Sequence, residues 1–187
     1  MRKECLDGDE LFVIRACLGA EECQAFVARS ERDGYDDATI NTARGAILAK
    51  AIRDNARLMI DDPELALGLW RRMTGLLPAT VGRSTAVGFN ERFRFYRYDV
   101  GQKFAPHYDG HFQRDVGERS ELTVLFYLND DFAGGETKFY ADDRTLRYSI
   151  RPERGMALVF AHLQLHEGAP IISGRKYVLR TDVMYRS

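Results

Sequence analysis

The chain reads as an α+β protein, with mainly helical support in residues 1–88 and a jelly-roll core in residues 89–187. Three observations carry that reading. Apolar residues at helical spacing are confined to the first half. After Gly88 the texture changes to short runs rich in aromatic and β-branched residues. Turn-forming Gly, Asp, Asn and Pro separate those runs, as in a β-sandwich or jelly roll. Helices first and strands after give the α+β layout. With 187 residues, 45% of them apolar, the whole chain is expected to form one domain with a real core.

Taken in order, Leu11-Phe12-Val13-Ile14 is a buried strand. Gly19 precedes a helix in which Glu21 and Glu22 suit the first turn and Cys23, Phe26 and Val27 share a face; Asp33-Gly34 ends it. Tyr35 to Gly45 is polar and turn-rich, a loop and a candidate lid over a site. Ile47 to Ile60 fits helix or strand. Asp61-Asp62-Pro63-Glu64 then starts a second helix through capping Asx residues and an early Pro. Leu65, Leu69, Met73 and Leu76 line its core face beside Trp70, and Leu77-Pro78 closes it.

Strands are expected at Phe93–Tyr98, Leu122–Leu128, Glu136–Tyr140, Leu146–Ile150, Met156–Phe160 and Lys176–Tyr185. Asp99-Val100-Gly101-Gln102, Asn129-Asp130-Asp131, Gly134-Gly135, Asp142-Asp143 and Pro152–Gly155 supply the turns.

Composition narrows the function. A net charge of -1 offers no electrostatic footprint for nucleic acid or an anionic membrane, so neither is expected as a partner. No apolar run approaches a membrane span, and Met1 to Asp7 has no signal-like apolar region, so a cytoplasmic location is expected. Cys5, Cys17 and Cys23 are an odd number and read as free thiols.

The chemistry gathers at Phe104-Ala105-Pro106-His107-Tyr108-Asp109-Gly110. In an extended segment His107 and Asp109 project from one face, within reach of one metal ion. A further His would complete two imidazoles and one carboxylate, the set typical of non-haem Fe(II) oxygenases. His166, at the end of a strand-like run, is the preferred third ligand, and His162 is its alternative. His111 lies in the loop after the pair.

The neighbourhood adds a resemblance. Arg97 to Asp109, Tyr127-Leu128-Asn129, Gly134-Gly135-Glu136-Thr137, Arg151 to Phe160, His166 to Pro170 and Ser173 to Tyr177 resemble, in order, the catalytic domain of prolyl 4-hydroxylases. These belong to the 2-oxoglutarate- and Fe(II)-dependent dioxygenases, built on a double-stranded β-helix. The resemblance covers roughly the C-terminal half. It implies that His107, Asp109 and His166 hold Fe(II). It implies Lys176 as the cation for the distal carboxylate of 2-oxoglutarate, with Tyr98, Tyr127 and Thr137 lining the cosubstrate pocket. It also implies hydroxylation of a C–H bond, with O2, as 2-oxoglutarate is decarboxylated to succinate. The substrate expected is a prolyl or other residue of a protein or peptide, and ascorbate is a candidate stimulant.

Strand alternation adds what the resemblance does not. If Lys176 points inward, so do Val178, Arg180 and Asp182; if Tyr98 does, so do Tyr96 and Arg94. Prolyl hydroxylases usually carry a tryptophan six residues after the lysine, and here Asp182 stands there. Arg94, Tyr96, Arg180 and Asp182 are therefore the expected substrate pocket. Arg180 and Asp182 are expected to pair or to bind a polar substrate, because unpaired buried charge is costly; Arg180 is also a rival to Lys176 for the cosubstrate. Asn55, Arg57 and Asn90 are candidates for the groove edge. Two other functions remain at this point: the same chemistry on a free amino acid or small polar molecule, and a non-catalytic jelly-roll binding module.

Overall fold

The computed structural model describes residues 1–42, 45–47, 49–114 and 117–187. It opens with an antiparallel pair, β1 (Arg2–Asp7) and β2 (Leu11–Arg15), before helix α1 (Ala20–Asp33). Short strands β3 (Asp36–Asp37), β4 (Ile40–Thr42) and β5 (Gly45–Ile47) lead to β6 (Ala56–Asp61) and helix α2 (Pro63–Met73). Next come β7 (Thr80–Val81), β8 (Ser84–Phe89), β9 (Arg92–Tyr98), β10 (Phe104–His107) and β11 (Glu118–Tyr127). The chain ends through β12 (Ala133–Gly134), β13 (Thr137–Tyr140), β14 (Leu146–Ile150), β15 (Ala157–Ala161), β16 (Leu165–Gly168), β17 (Ile171–Ser173) and β18 (Lys176–Arg186).

The result is the expected jelly roll, a double-stranded β-helix. A large antiparallel sheet runs β1-β2-β15-β11-β18-β9-β6-β3, with β8 also paired to β18. A smaller sheet runs β10-β16-β13-β14. Both faces of the large sheet are covered, which explains runs that are apolar throughout rather than alternating. On β2, Phe12 and Ile14 join one core cluster while Leu11 and Val13 join the other. Phe93 and Phe95 of β9 pack on the helical side, and Tyr96 and Tyr98 turn inward.

The helices behave as their sequences dictate. The Glu22 carboxylate accepts the Gly19 N–H at the start of α1, and Cys23, Phe26 and Ser30 are buried. Asp62 Oδ1 accepts the Leu65 N–H at 3.0 Å ahead of Pro63 in α2. Ala66, Leu69 and Met73 face the core, and Trp70 meets Phe89 edge-on at 5.7 Å.

Three expectations change. Residues 1–88 are not mainly helical, because β1, β2, β6 and β8 join the large sheet beside the two helices. β1 is an edge strand with no buried residue, so no apolar pattern marks it. The ambiguous Ile47–Ile60 segment holds β6, an extended strand fixed by pairing with β9 along Ala56–Asp61. In the Tyr35–Gly45 loop, Asp36 and Asp37 pair with β6, and β4 pairs with β5. Residues 43 and 44 of that expected lid lie outside the described residues. Among the described residues no helix is long and apolar enough to cross a membrane.

Candidate active site

β10 and β16 are antiparallel neighbours with His107 directly opposite His166. That register alone brings together two imidazoles 59 positions apart in sequence. Asp109 follows β10 at once. Ligand atoms of His107, Asp109 and His166 lie within 4.8 Å of one another. Each Nε2 is 3.8 Å from an Asp109 oxygen, His107 facing Oδ1 and His166 facing Oδ2.

The far nitrogens fix the tautomers. His107 Nδ1 donates to the Ala105 carbonyl at 2.8 Å, and His166 Nδ1 to the Gln164 carbonyl at 2.9 Å. A carbonyl only accepts, so Nδ1 carries the proton and Nε2 keeps its lone pair toward the carboxylate. Burial holds both rings neutral: it pulls His107 down to about 3 and lowers His166. Phe104 stacks on His107 at 3.5 Å, and Phe160 packs on His166 at 4.5 Å, so neither ring is free to turn.

The carboxylate is held from two sides. Arg180 Nη1 donates to Asp109 Oδ1 at 2.7 Å, and Thr123 Oγ1 donates to Oδ2 at 2.6 Å. Burial alone would raise this acid, but Arg180 and the hydroxyl bond keep it well below the usual carboxylate range. Each oxygen still has a lone pair for a cation. Two neutral imidazoles and one anchored carboxylate, with Asp109 and His166 buried and His107 half-buried, fit a divalent metal of the non-haem Fe(II) kind.

His162 is not part of this group. Its Nδ1 donates to Thr123 Oγ1 at 3.0 Å, because that hydroxyl has already given its proton to Asp109. Its Nε2 accepts from Ser120 Oγ at 2.9 Å, and Ser120 Oγ takes the Phe112 N–H at 2.8 Å. His162 thus orients the Asp109 carboxylate through Thr123. His111 donates to the Ser120 carbonyl at 2.7 Å and stays outside the ligand set.

On the inner side a chamber is lined by Tyr96, Tyr98, Leu125, Thr137, Lys176 and Val178 together with His107, Asp109 and His166. Lys176 pairs with Tyr98 across β18 and β9, Val178 with Tyr96, and Arg180 with Arg94, so the expected alternation is observed. The Lys176 ammonium is 4% exposed and donates to the Gly135 carbonyl at 2.6 Å. Its other two N–H groups have no protein acceptor among the described residues. Burial pulls it down to about 7, with Glu136 opposing. Such an orphaned ammonium fits a carboxylate ligand. Tyr127 and Thr137 share a hydroxyl bond of 2.7 Å at this end. Gly135, at φ +69, admits the approach: a Cβ there would lie 2.6 Å from Ile171 Cδ1 and 3.2 Å from Lys176 Cδ.

The outer side is a groove lined by Arg53, Arg57, Arg94, Tyr96, Arg180 and Tyr108, among others. Arg180 Nη2 reaches Asp182 Oδ1 at 3.2 Å, and Arg94 reaches Asp182 Oδ2 at 3.1 Å. Arg180 lines both groove and chamber, and among the described residues its carboxylate partners are Asp109 and Asp182, which leaves Lys176 as the cation without one. Arg57 edges the groove, Asn55 lies buried behind it, and Asn90 lines a separate cleft. Arg53 and Thr123 are the residues the sequence reading passed over. Arg53 lies outside β6 and is placed by an isolated bridge to Phe104, which no local pattern announces.

Comparisons with known proteins agree with this geometry. Residues 93–181 match the model of the 2OG-Fe(II) oxygenase superfamily. A probable prolyl 4-hydroxylase of Arabidopsis thaliana is 27% identical over 201 residues, covering 94% of this chain and 64% of the relative. The chain thus spans a little under two thirds of that relative's length. The fold superposes on a prolyl hydroxylase from Trichoplax adhaerens, solved with a hypoxia inducible factor peptide fragment, with a TM-score of 0.71 and 20% identity over 95% of this chain and 84% of that one. It also superposes on the viral collagen prolyl hydroxylase of Paramecium bursaria Chlorella virus-1, with a TM-score of 0.66 and 18% identity over 98% and 99%. Over residues 93–181 the chain is thus similar to the 2OG-Fe(II) oxygenase superfamily, and its fold is prolyl hydroxylase-like.

Proposed function

We propose that the chain is a 2-oxoglutarate- and Fe(II)-dependent dioxygenase, acting as one domain, that hydroxylates a C–H bond of a protein or peptide residue. The observation that carries this is the union of the His107–Asp109–His166 group with a buried, orphaned Lys176 ammonium in one chamber. His107, Asp109 and His166 would hold Fe(II), which supplies O2-dependent oxidation coupled to decarboxylation of 2-oxoglutarate to succinate.

The chain's own residues set the conditions for that chemistry. Arg180 and Thr123 keep Asp109 ionised and aimed. The carbonyls of Ala105 and Gln164 keep both Nε2 atoms open to a cation. Lys176 anchors the distal carboxylate of 2-oxoglutarate, supported by Tyr98, Tyr127 and Thr137. Its ammonium is compact and already desolvated, so a carboxylate there gains a strong charge-assisted bond. Tyr98, Leu125 and Val178 line the chamber and exclude water.

A peptide substrate is supported by the open groove, which occupies about 560 Å³ outside the triad. The experiment is succinate formation from 2-oxoglutarate with Fe(II) and O2, comparing the native chain with His166→Ala. Turnover that requires Fe(II) and vanishes in the variant supports the reading. A folded native chain that binds neither metal nor 2-oxoglutarate would end it.

A further inference from the structure

The groove outside the triad has an unusual charge balance. Arg53, Arg57, Arg94 and Arg180 all line it. Among the described residues only two carboxylates answer them: Asp109, which takes Arg180, and Asp182, which takes Arg180 and Arg94. Four guanidiniums against two carboxylates leave two positive charges over. A divalent metal and a doubly charged cosubstrate cancel, so the excess persists in a loaded site.

The excess resides on Arg53 and Arg57. Arg53 is 6% exposed, and its Nε donates to the neutral Asn55 Oδ1 at 2.8 Å. Its Nη2 is buried with no partner among the described residues. The guanidinium lies 4.6 Å from the Tyr96 ring and 4.4 Å from the Phe104 ring. Phe104 in turn stacks on His107, so Arg53 sits beside the proposed metal ligands. Among the described residues Arg57 donates only to Thr39, through its hydroxyl at 3.0 Å and its carbonyl. Asp36, its neighbour across the β3–β6 ladder, makes no ion pair with it among the described residues.

Neighbouring groups register the same field. Burial pushes the Tyr96 phenol up, yet Arg180, Arg53 and Arg94 bring it below its ordinary value. Burial lowers Arg57, and the like charges of Arg53 and Arg94 lower it further. A buried guanidinium with an unfilled N–H is costly unless an anion completes it. Asn55 and the segment around it hold that cost in place: Ala105 N–H bonds to the Ile52 carbonyl at 2.8 Å, and Lys103 N–H bonds to Asp54 Oδ1 at 2.7 Å. The arginine is fixed before any substrate arrives.

We propose that the substrate carries a carboxylate close to the carbon attacked, and that Arg53 and Arg57 receive it. This rests on the oxygenase reading and narrows it to an acidic substrate. The carboxylate belongs either to an acidic peptide or to a small carboxylic acid, and both present the same oxygens to the two arginines.

The test uses the full chain loaded anaerobically with Mn(II) and 2-oxoglutarate, titrated with two matched pairs of probes. One pair is acetyl-Gly-Pro-Glu-Gly-amide and its Gln counterpart; the other is N-acetylproline and N-acetylprolinamide. The carboxylate member of one pair is expected to bind about tenfold or more tightly than its neutral partner, the gain of charge-assisted over neutral bonding. A preference in the peptide pair assigns an acidic peptide, and one confined to the small pair assigns a small acid. Arg57→Gln and Arg53→Lys should each shrink the preference, while Arg147→Gln, at the distant Asp7 pair, should leave it intact. Equal affinity within both pairs, absence of binding included, would overturn the proposal, as would a preference untouched by Arg57→Gln and Arg53→Lys. Binding of 2-oxoglutarate is measured in the same preparation, and the peptide pair is repeated on metal-free chain. Loss of 2-oxoglutarate binding alone overturns the oxygenase reading without deciding the groove.

Discussion

The inner chamber and the outer groove share the metal-ligand group but are built by opposite rules. The chamber holds one orphaned cation, Lys176, among aromatic and aliphatic walls. The groove holds four guanidiniums, two of them tied to carboxylates. One buried charge in an apolar setting selects one partner strongly, because the cost of leaving it unpaired is high. A cluster of arginines spread along one groove gives a field that favours a class of ligands. The chamber is therefore read as the place of a fixed cosubstrate, and the groove as the place where substrate identity is decided.

That division can be broken by substitution. Asp109→Ala has the largest expected effect, since it removes the only carboxylate among the proposed ligands; Mn(II) binding followed by calorimetry should fall below detection. Lys176→Ala should weaken 2-oxoglutarate binding by about 2–5 kcal/mol while metal binding survives, the usual cost of truncating one side of a buried charged pair. Thr123→Val keeps the shape but frees one Asp109 oxygen and unhooks His162. It should lower metal affinity or turnover by about 10- to 100-fold, as loss of an outer-shell partner does.

The pH dependence follows from Lys176. In the ligand-free chain the ammonium is held down to about 7, so below that pH it is charged and ready. Above it the lysine must take up a proton to bind a carboxylate. The Kd for 2-oxoglutarate should thus be flat below about pH 7 and rise by about tenfold per pH unit above it. Lys176→Ala should flatten the profile. The smallest effect is expected from Arg57→Gln, which should leave the 2-oxoglutarate Kd unchanged; a large loss there would erase the distinction between chamber and groove.

The two regions also differed in how far they could be read from sequence. The chamber was legible because its residues lie in ordered blocks: His107 and Asp109 two apart, His166 at a strand end, Lys176 opening the last strand. Strand alternation then put Val178, Arg180 and Asp182 on one face of β18: Val178 and Arg180 line the chamber, and Asp182 bonds to Arg180. The groove was less legible. Arg53 enters it through an isolated bridge to Phe104, a long-range contact with no local pattern. The tie from His162 through Thr123 to Asp109 joins β15's end to β11, and only the folded sheet brings them together. β1 and β8 escaped because edge and short strands with exposed residues carry no apolar alternation.

The central claim is that the triad and Lys176 form a single 2-oxoglutarate site. The most direct measurement is anaerobic titration of 2-oxoglutarate into the Mn(II)-loaded chain, into the metal-free chain and into Mn(II)-loaded Lys176→Ala. Saturable binding that is strong in the first and lost or greatly weakened in the other two is the result predicted. Equal binding in all three, or none in the first with metal bound, would contradict it.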